Sequence, residues 1–114
     1  MPCINVSVSV PVTDKSAEAF KSDMGRAITV FPGKSERWLM VCVEENNRLW
    51  LGGSNDAPTA YVEVSILGKI DASSSEKMTA LICDSLKKNM GIPPERTYVK
   101  YEDTENWGWN GANF

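Results

Sequence analysis

The stretch that decides the fold is Met1-Pro2-Cys3-Ile4-Asn5-Val6-Ser7-Val8-Ser9-Val10, MPCINVSVSV. Ile4, Val6, Val8 and Val10 fall on one parity, and Cys3, Asn5, Ser7 and Ser9 on the other. Successive strand residues point to opposite faces, so this two-residue period predicts a half-buried strand at the amino terminus. Most domains begin with a few loose residues; here order is expected from Pro2 onward. If Met1 is removed, the first atom of the folded chain is a proline nitrogen held by a strand.

Working outward, Pro11-Val12-Thr13-Asp14 reads as a turn into a helix cap. Ala17, Phe20, Met24, Ala27, Ile28 and Phe31 follow helical spacing, and Pro32-Gly33 ends the run. Trp38 to Val43 is apolar on both parities, which predicts a strand covered on both faces. Leu49 to Leu51 is expected as a short strand between turns at Asn46-Asn47 and Gly52-Gly53-Ser54-Asn55. Thr59 to Leu67 reads as another strand. Ser73 and Glu76 have capping-box spacing before a helix carrying Met78, Leu81, Ile82, Leu86 and Met90. Gly91-Ile92-Pro93-Pro94 ends that helix, Arg96 to Tyr101 is a strand, and the aromatic, glycine-rich tail is expected to hold one short strand.

The pattern is β-α-β-β twice, in halves of about 1–56 and 57–114 within one domain. The letters repeat as well: Gly33-Lys34-Ser35-Glu36-Arg37-Trp38 echoes Gly91-Ile92-Pro93-Pro94-Glu95-Arg96-Thr97-Tyr98. Two right-handed β-α-β units in one sheet place both helices on one face. The reading is therefore an α/β (α+β) two-layer sandwich, two helices on a four-stranded sheet. Its bare face, assigned Trp38, Met40, Cys42, Tyr61, Tyr98 and Val99, is expected to be buried by oligomerisation.

Composition removes whole classes of function. With 114 residues, 42% hydrophobic and 24% charged, the chain is expected to be a single soluble domain. A net charge of −3 argues against a nucleic-acid partner. No apolar run approaches the ~20 residues of a membrane span, and no signal peptide is visible. Cys3, Cys42 and Cys83 are odd in number and far apart, which suits buried thiols in a reducing compartment, so a cytoplasmic location is expected. The chain contains no histidine. Ser-His-Asp and Cys-His nucleophiles, HExxH zinc sites and histidine bases are thereby excluded. An acid–base enzyme built from this chain must use an amine, a phenol or a carboxylate.

Several motifs, in order along nearly the whole chain, resemble the macrophage migration inhibitory factor family, which includes D-dopachrome tautomerase and belongs to the tautomerase superfamily. They are Pro2, Gly33-Lys34, Leu51-Gly52-Gly53-Ser54, Leu67-Gly68-Lys69-Ile70, Pro94-Glu95-Arg96-Thr97-Tyr98 and the ending Gly108-Trp109-Asn110-Gly111-Ala112-Asn113-Phe114. The resemblance implies a homotrimer with an active site at each subunit boundary, no metal and no cofactor. It implies keto–enol tautomerisation of phenylpyruvate-like or dopachrome-like substrates, small aromatic 2-keto acids, with Pro2 as the general base after loss of Met1. Lys34 would bind the carboxylate or carbonyl, Leu67 would line the pocket and offer backbone, and Tyr98 would come from the neighbouring subunit. Trp107, Trp109 and Phe114 would form apolar walls. The resemblance equally admits a cytokine-like, receptor-binding homologue with vestigial catalysis, secreted without a signal peptide.

Two departures bear on substrate. Lys100 stands where the family has asparagine, two residues from Tyr98 on the same strand face; it is either a second substrate-binding cation or a solvated lysine. Trp38 replaces a tyrosine at the pocket mouth. Each remaining candidate also has a structural reading. Pro2 spares a donor at a strand start, Lys34 complements a helix C-terminus, and Tyr98 and the tryptophans pack in a core or interface.

Overall fold

The computed structural model describes residues 1–114. Strand β1 (Pro2–Val8) shows the alternation of its sequence: Pro2, Ile4, Val6 and Val8 are buried, while Cys3, Asn5 and Ser7 are half-buried on the other face. Three further strands, β2 (Met40–Glu44), β3 (Ala60–Leu67) and β4 (Thr97–Thr104), complete a sheet in the order β2-β1-β3-β4. β1 runs parallel to β2, and β3 parallel to β4; the two pairs join antiparallel through β1 and β3. Parallel neighbours need a crossover, and here each crossover is a helix, α1 (Asp14–Ala27) and α2 (Ala72–Met90). The sheet thus holds two β-α-β units, β1-α1-β2 and β3-α2-β4.

Both helices lie on one face. Phe20, Met24 and Ile28 from the first crossover and Met78, Ile82 and Leu86 from the second close over Ile4, Val6, Val8, Val62, Val64 and Ile66, all within 1% of full burial. The helices are tied at the surface by Asp23, which accepts hydrogen bonds from Ser85 Oγ at 2.7 Å and Asn89 Nδ2 at 3.0 Å and pairs with Lys88 at 3.2 Å.

The opposite face divides into cross-strand rows. One row is Met40, Cys3, Ser65 and Glu102; the next Cys42, Asn5, Glu63 and Lys100; the third Glu44, Ser7, Tyr61 and Tyr98. It is mixed in polarity, with Met40 67% and Tyr98 63% exposed, and the Asn5 Oδ1 beneath it is buried without a hydrogen-bond partner.

Several sequence expectations are corrected. Trp38 is not in a strand: it ends a 3-10 turn (Glu36–Trp38) that precedes β2. β2 then alternates, with Val41 and Val43 packed on the core and Met40, Cys42 and Glu44 exposed, so only one of its faces is covered. Leu49 to Leu51 forms no strand, only an isolated bridge from Leu51 to Ser54. Val99 belongs to the helix side with Tyr101, because it follows the outward-facing Tyr98. The second helix is capped not by Ser73 but by Asp71, whose Oδ2 accepts from Ser74 N at 2.9 Å. Aspartate is as good a cap as serine, and the helix starts two residues earlier than the Ser-Glu spacing suggests. The first helix gives way to a 3-10 turn at Ile28–Val30 rather than continuing to Phe31. The tail forms a two-stranded hairpin, β5 (Gly108–Trp109) with β6 (Ala112–Asn113), turned by Asn110 (φ 53°) and Gly111 (φ 82°). Two consecutive positive φ values are what an Asn-Gly hairpin turn supplies.

Candidate active site

Pro2 begins the buried strand and lies in register with Ile66 of β3. One residue further along β3, Leu67 closes the arrangement with both of its backbone groups. Its N–H donates to the Met1 carbonyl at 3.0 Å, and its carbonyl accepts from Lys34 Nζ at 2.7 Å. Lys34 reaches this point because Gly33, at φ 76°, turns the chain sharply after the first crossover; the left-handed region is open to glycine without a Cβ penalty. The lysine therefore spends a donor on the strand carrying Leu67, not on the carbonyls at the end of its own helix. Its half-buried ammonium makes no ion pair.

The electrostatic consequence is visible at the chain's α-amine. Burial, then the neighbouring Lys34 cation, hold it below the ordinary α-amine range. With Met1 in place the Pro2 nitrogen is an amide and no base. Removal of Met1 would make the Pro2 nitrogen, at the first residue of β1, the chain's amine. The Cys3 thiol, beside it in sequence, is pushed up by burial and by Cys42, which argues against a thiolate nucleophile.

The aromatic candidates gather at the carboxy-terminal hairpin. Trp38 meets Trp109 edge to face, ring centroids 5.1 Å apart at 86°, and Trp109 stacks on Phe114 at 6.2 Å and 15°. All three are exposed by 40% or more, so they form a ledge rather than a core. Trp107 is half-buried, its carbonyl accepting from Phe114 N at 3.0 Å.

Tyr98 and Lys100 lie elsewhere. Ile66, opposite Pro2, is in register with Asp103 of β4, five residues beyond Tyr98 and three beyond Lys100. At about 3.3 Å per residue, Tyr98 is roughly 17 Å from its own Pro2 along the strand. There it lines an apolar hollow of about 210 Å³ with Trp50, Leu51, Tyr61 and Arg96. Lys100 Nζ is held by Glu102 Oε1 at 2.9 Å, with Glu63 Oε2 at 4.0 Å. A hydrogen bond and the charge of Glu102 raise the lysine's pKa. One protomer thus brings together Pro2, Lys34 and Leu67 in one cluster, and Trp38, Trp109 and Phe114 in another. It does not bring Tyr98 or Lys100 to them.

Two arginines were not singled out from the sequence as site or structural residues. Arg96 donates from Nε and Nη2 to Thr59 Oγ1 at 3.0 and 2.7 Å, from Nη2 to Ser54 O at 2.8 Å, and from Nη1 to Leu51 O at 3.4 Å. Arg37 places its Cζ 5.1 Å from the centroid of the Trp38 ring. The available signal was the repeat itself, which set the two arginines in matching positions.

The two-layer sandwich of paired β-α-β units is the fold of the tautomerase superfamily, isomerases at the coarse level. The chain belongs to the macrophage migration inhibitory factor family, whose model, described as Macrophage migration inhibitory factor (MIF), matches residues 1–114. It is 30% identical over 116 residues to a macrophage migration inhibitory factor of Xenopus tropicalis, covering 100% of this chain and 99% of the relative. Among solved structures it is similar to Leishmania major MIF2 (TM-score 0.93, 35% identity, 100% and 97% of the two chains). It is similar also to a macrophage migration inhibitory factor homologue from Prochlorococcus marinus (TM-score 0.84, 31% identity, 98% of each chain).

Proposed function

We propose that the protein is a keto–enol tautomerase of small aromatic 2-keto acids, working as a homotrimer with Pro2 as general base. The observation that carries this reading is the chain's α-amine, partly buried at Met1 beside the Lys34 ammonium, with Lys34 anchored on the Leu67 carbonyl. A base works best with a pKa near the working pH, and desolvation with a neighbouring cation moves an α-amine in that direction. The free Pro2 nitrogen takes a proton from the carbon next to the keto group. The electron pair of that C–H bond becomes the carbon–carbon double bond, the keto oxygen becomes an enolate that takes a proton from solvent, and the protonated Pro2 returns its proton to solvent. Lys34 faces the charge that develops on this oxygen or the substrate carboxylate, and an electrostatic contact of that kind stabilises the transition state more than the ground state.

The distance between parts supports a site completed by a second copy. Tyr98, some 17 Å from its own Pro2, can join such a site only from another copy. Two features suit that arrangement: the edge strands β2 and β4 each leave one side unpaired, and Asn5 Oδ1 has no partner within the protomer.

The test is phenylpyruvate tautomerisation by protein whose intact mass shows that Met1 has been removed. Pro2→Gly should lower turnover by about 10²–10⁴-fold, the usual contribution of a positioned base, while the oligomer persists. Turnover that survives the substitution would overturn the proline-base mechanism. Absence of turnover in the unsubstituted protein with a free Pro2 would move the weight to the receptor-binding reading.

A further inference from the structure

Seven of the twelve cations of this molecule are held by a contact, and they differ in what they touch. Lys21, Arg26, Lys88 and Lys100 are in ion pairs. Arg96 is consumed by carbonyls and a hydroxyl, and Lys34 by the Leu67 carbonyl. Arg37 differs from all of these. It is exposed, it is in none of the ion pairs, and yet it is held: its guanidinium lies over the Trp38 ring at 5.1 Å. A guanidinium over the face of an indole is attracted by the ring quadrupole. The face of the planar group is then occupied, while its N–H donors remain around the edge. These donors form the fork that matches a carboxylate or sulfonate bidentately.

The setting of this fork gives it a use. Trp38 leans edge-on against Trp109, and Trp109 stacks on Phe114. Arg37, Trp38, Trp109 and Phe114 are therefore one continuous array, three rings with a cation at one end. Lys34 lies only three residues before Arg37, a chain length that spans at most about 10 Å. An aromatic acid lying on the ledge with its 2-keto acid end at Lys34 has its ring within the reach of Arg37.

We propose that Arg37 is a specificity-determining residue: it selects aromatic 2-keto acids that carry a second anionic group on the ring, distal to the keto acid. The proposal rests on the tautomerase reading for the orientation of the substrate, but the anion selectivity is a binding property that can be measured without turnover. Lys100 is the competing cation for such a group, and its two carboxylate partners leave the Glu63-Lys100-Glu102 cluster with a net charge of −1. Of these two, Arg37 is the cation left free for a second anion.

The experiment compares phenylpyruvate with 4-carboxyphenylpyruvate in the protein with free Pro2, in Arg37→Gln and in Arg37→Lys. The original protein should show a KM about tenfold lower for the dicarboxylate. Arg37→Gln should abolish that ratio, and Arg37→Lys should keep part of it, since the charge remains but the fork is lost. In parallel, cinnamate and 4-carboxycinnamate, which cannot tautomerise, are titrated against tryptophan fluorescence. The same tenfold preference and the same dependence on Arg37 should appear in their Kd values. Arg37→Gln affecting both members of each pair equally, or neither, would overturn the proposal. Loss of all turnover with the Kd preference intact would count against the tautomerase reading and for the role of Arg37.

Discussion

The two halves of the chain carry the same device at the same place, and they use it differently. Each helix-to-strand connection passes through a left-handed glycine, Gly33 at φ 76° and Gly91 at φ 69°. Each then makes one 3-10 turn, Glu36–Trp38 or Pro94–Arg96, and enters an edge strand that runs parallel to the first strand of its half. Each turn contains a Glu-Arg pair. In the second half the arginine is spent inside the protomer, its guanidinium joining β4 to the Leu51–Ser54 turn and to Thr59. In the first half it stands free over a tryptophan. A repeat fixes where a residue sits, but its neighbours decide whether it is structure or recognition.

The sharpest way to break this comparison is to remove the structural arginine. Arg96→Ala leaves the carbonyls of Leu51 and Ser54 without their charged donor. Hydrogen bonds to charged groups are worth about 1.5–3 kcal/mol each and are not additive, so a loss of about 2–4 kcal/mol is expected. Urea unfolding followed by tryptophan fluorescence should show it as a lower midpoint. Arg37→Ala should stay within about 0.5 kcal/mol, as exposed substitutions usually do. Equal losses for the two variants would mean that the halves do not differ in the way described.

The repeat and the sheet were legible in the sequence because period-two alternation and glycine punctuation are local signals. Ile4, Val6 and Val8 announced β1, and Gly91 announced the end of the second helix. What was illegible depended on register or on long-range partners. Trp38 read as strand because apolar residues on both parities cannot be distinguished from a turn packed against a distant hairpin, and the partner of Trp38 is Trp109, 71 positions away (109 − 38). Asp71 was overlooked as a cap because a Ser-Glu pair two residues later offered a more familiar pattern. Of the candidate site, the grouping of Pro2 with Leu67 followed from strand pairing that no local pattern gives. The pairing of Lys100 with Glu102 was nearer to hand, since residues two apart share a strand face.

A second test bears on the first-half connection and concerns Lys34. Its cation lowers the pKa of the amine beside it, as burial does more strongly. The base acts when neutral, so kcat/KM should rise with pH through the amine pKa and level off above it, and burial with the Lys34 cation places that limb lower than for an amine without them. Lys34→Ala removes a cation that disfavours the protonated amine, so the pKa should rise and the acid limb move to higher pH. Burial remains, so the limb should stop short of the unperturbed value. The substitution should also lower kcat/KM for phenylpyruvate by about 10–100-fold, or 1.4–2.7 kcal/mol. A limb that stays in place while KM alone rises would restrict Lys34 to substrate binding.

The smallest effect is expected at Lys100, and it completes the contrast between cations that are free and cations that are spent. If Tyr98 enters a neighbour's site, Lys100 follows on the same face of β4, so position alone makes it a candidate for the substrate's charge. Its surroundings argue otherwise. Glu102 holds the ammonium at 2.9 Å, Glu63 stands in the adjacent register position of β3, and Glu102 raises the lysine's pKa, so the charge persists but is already matched. Exchanging one carboxylate partner for another gains little. Lys100→Asn should therefore change the KM for 4-carboxyphenylpyruvate by less than about threefold, against the tenfold expected at Arg37, the difference between ~0.6 and ~1.4 kcal/mol. Raising ionic strength should weaken the selectivity due to an exposed Arg37 in the original protein and in Lys100→Asn alike. A larger loss for Lys100→Asn than for Arg37→Gln would transfer the selection of the second anion from the first half of the molecule to the second.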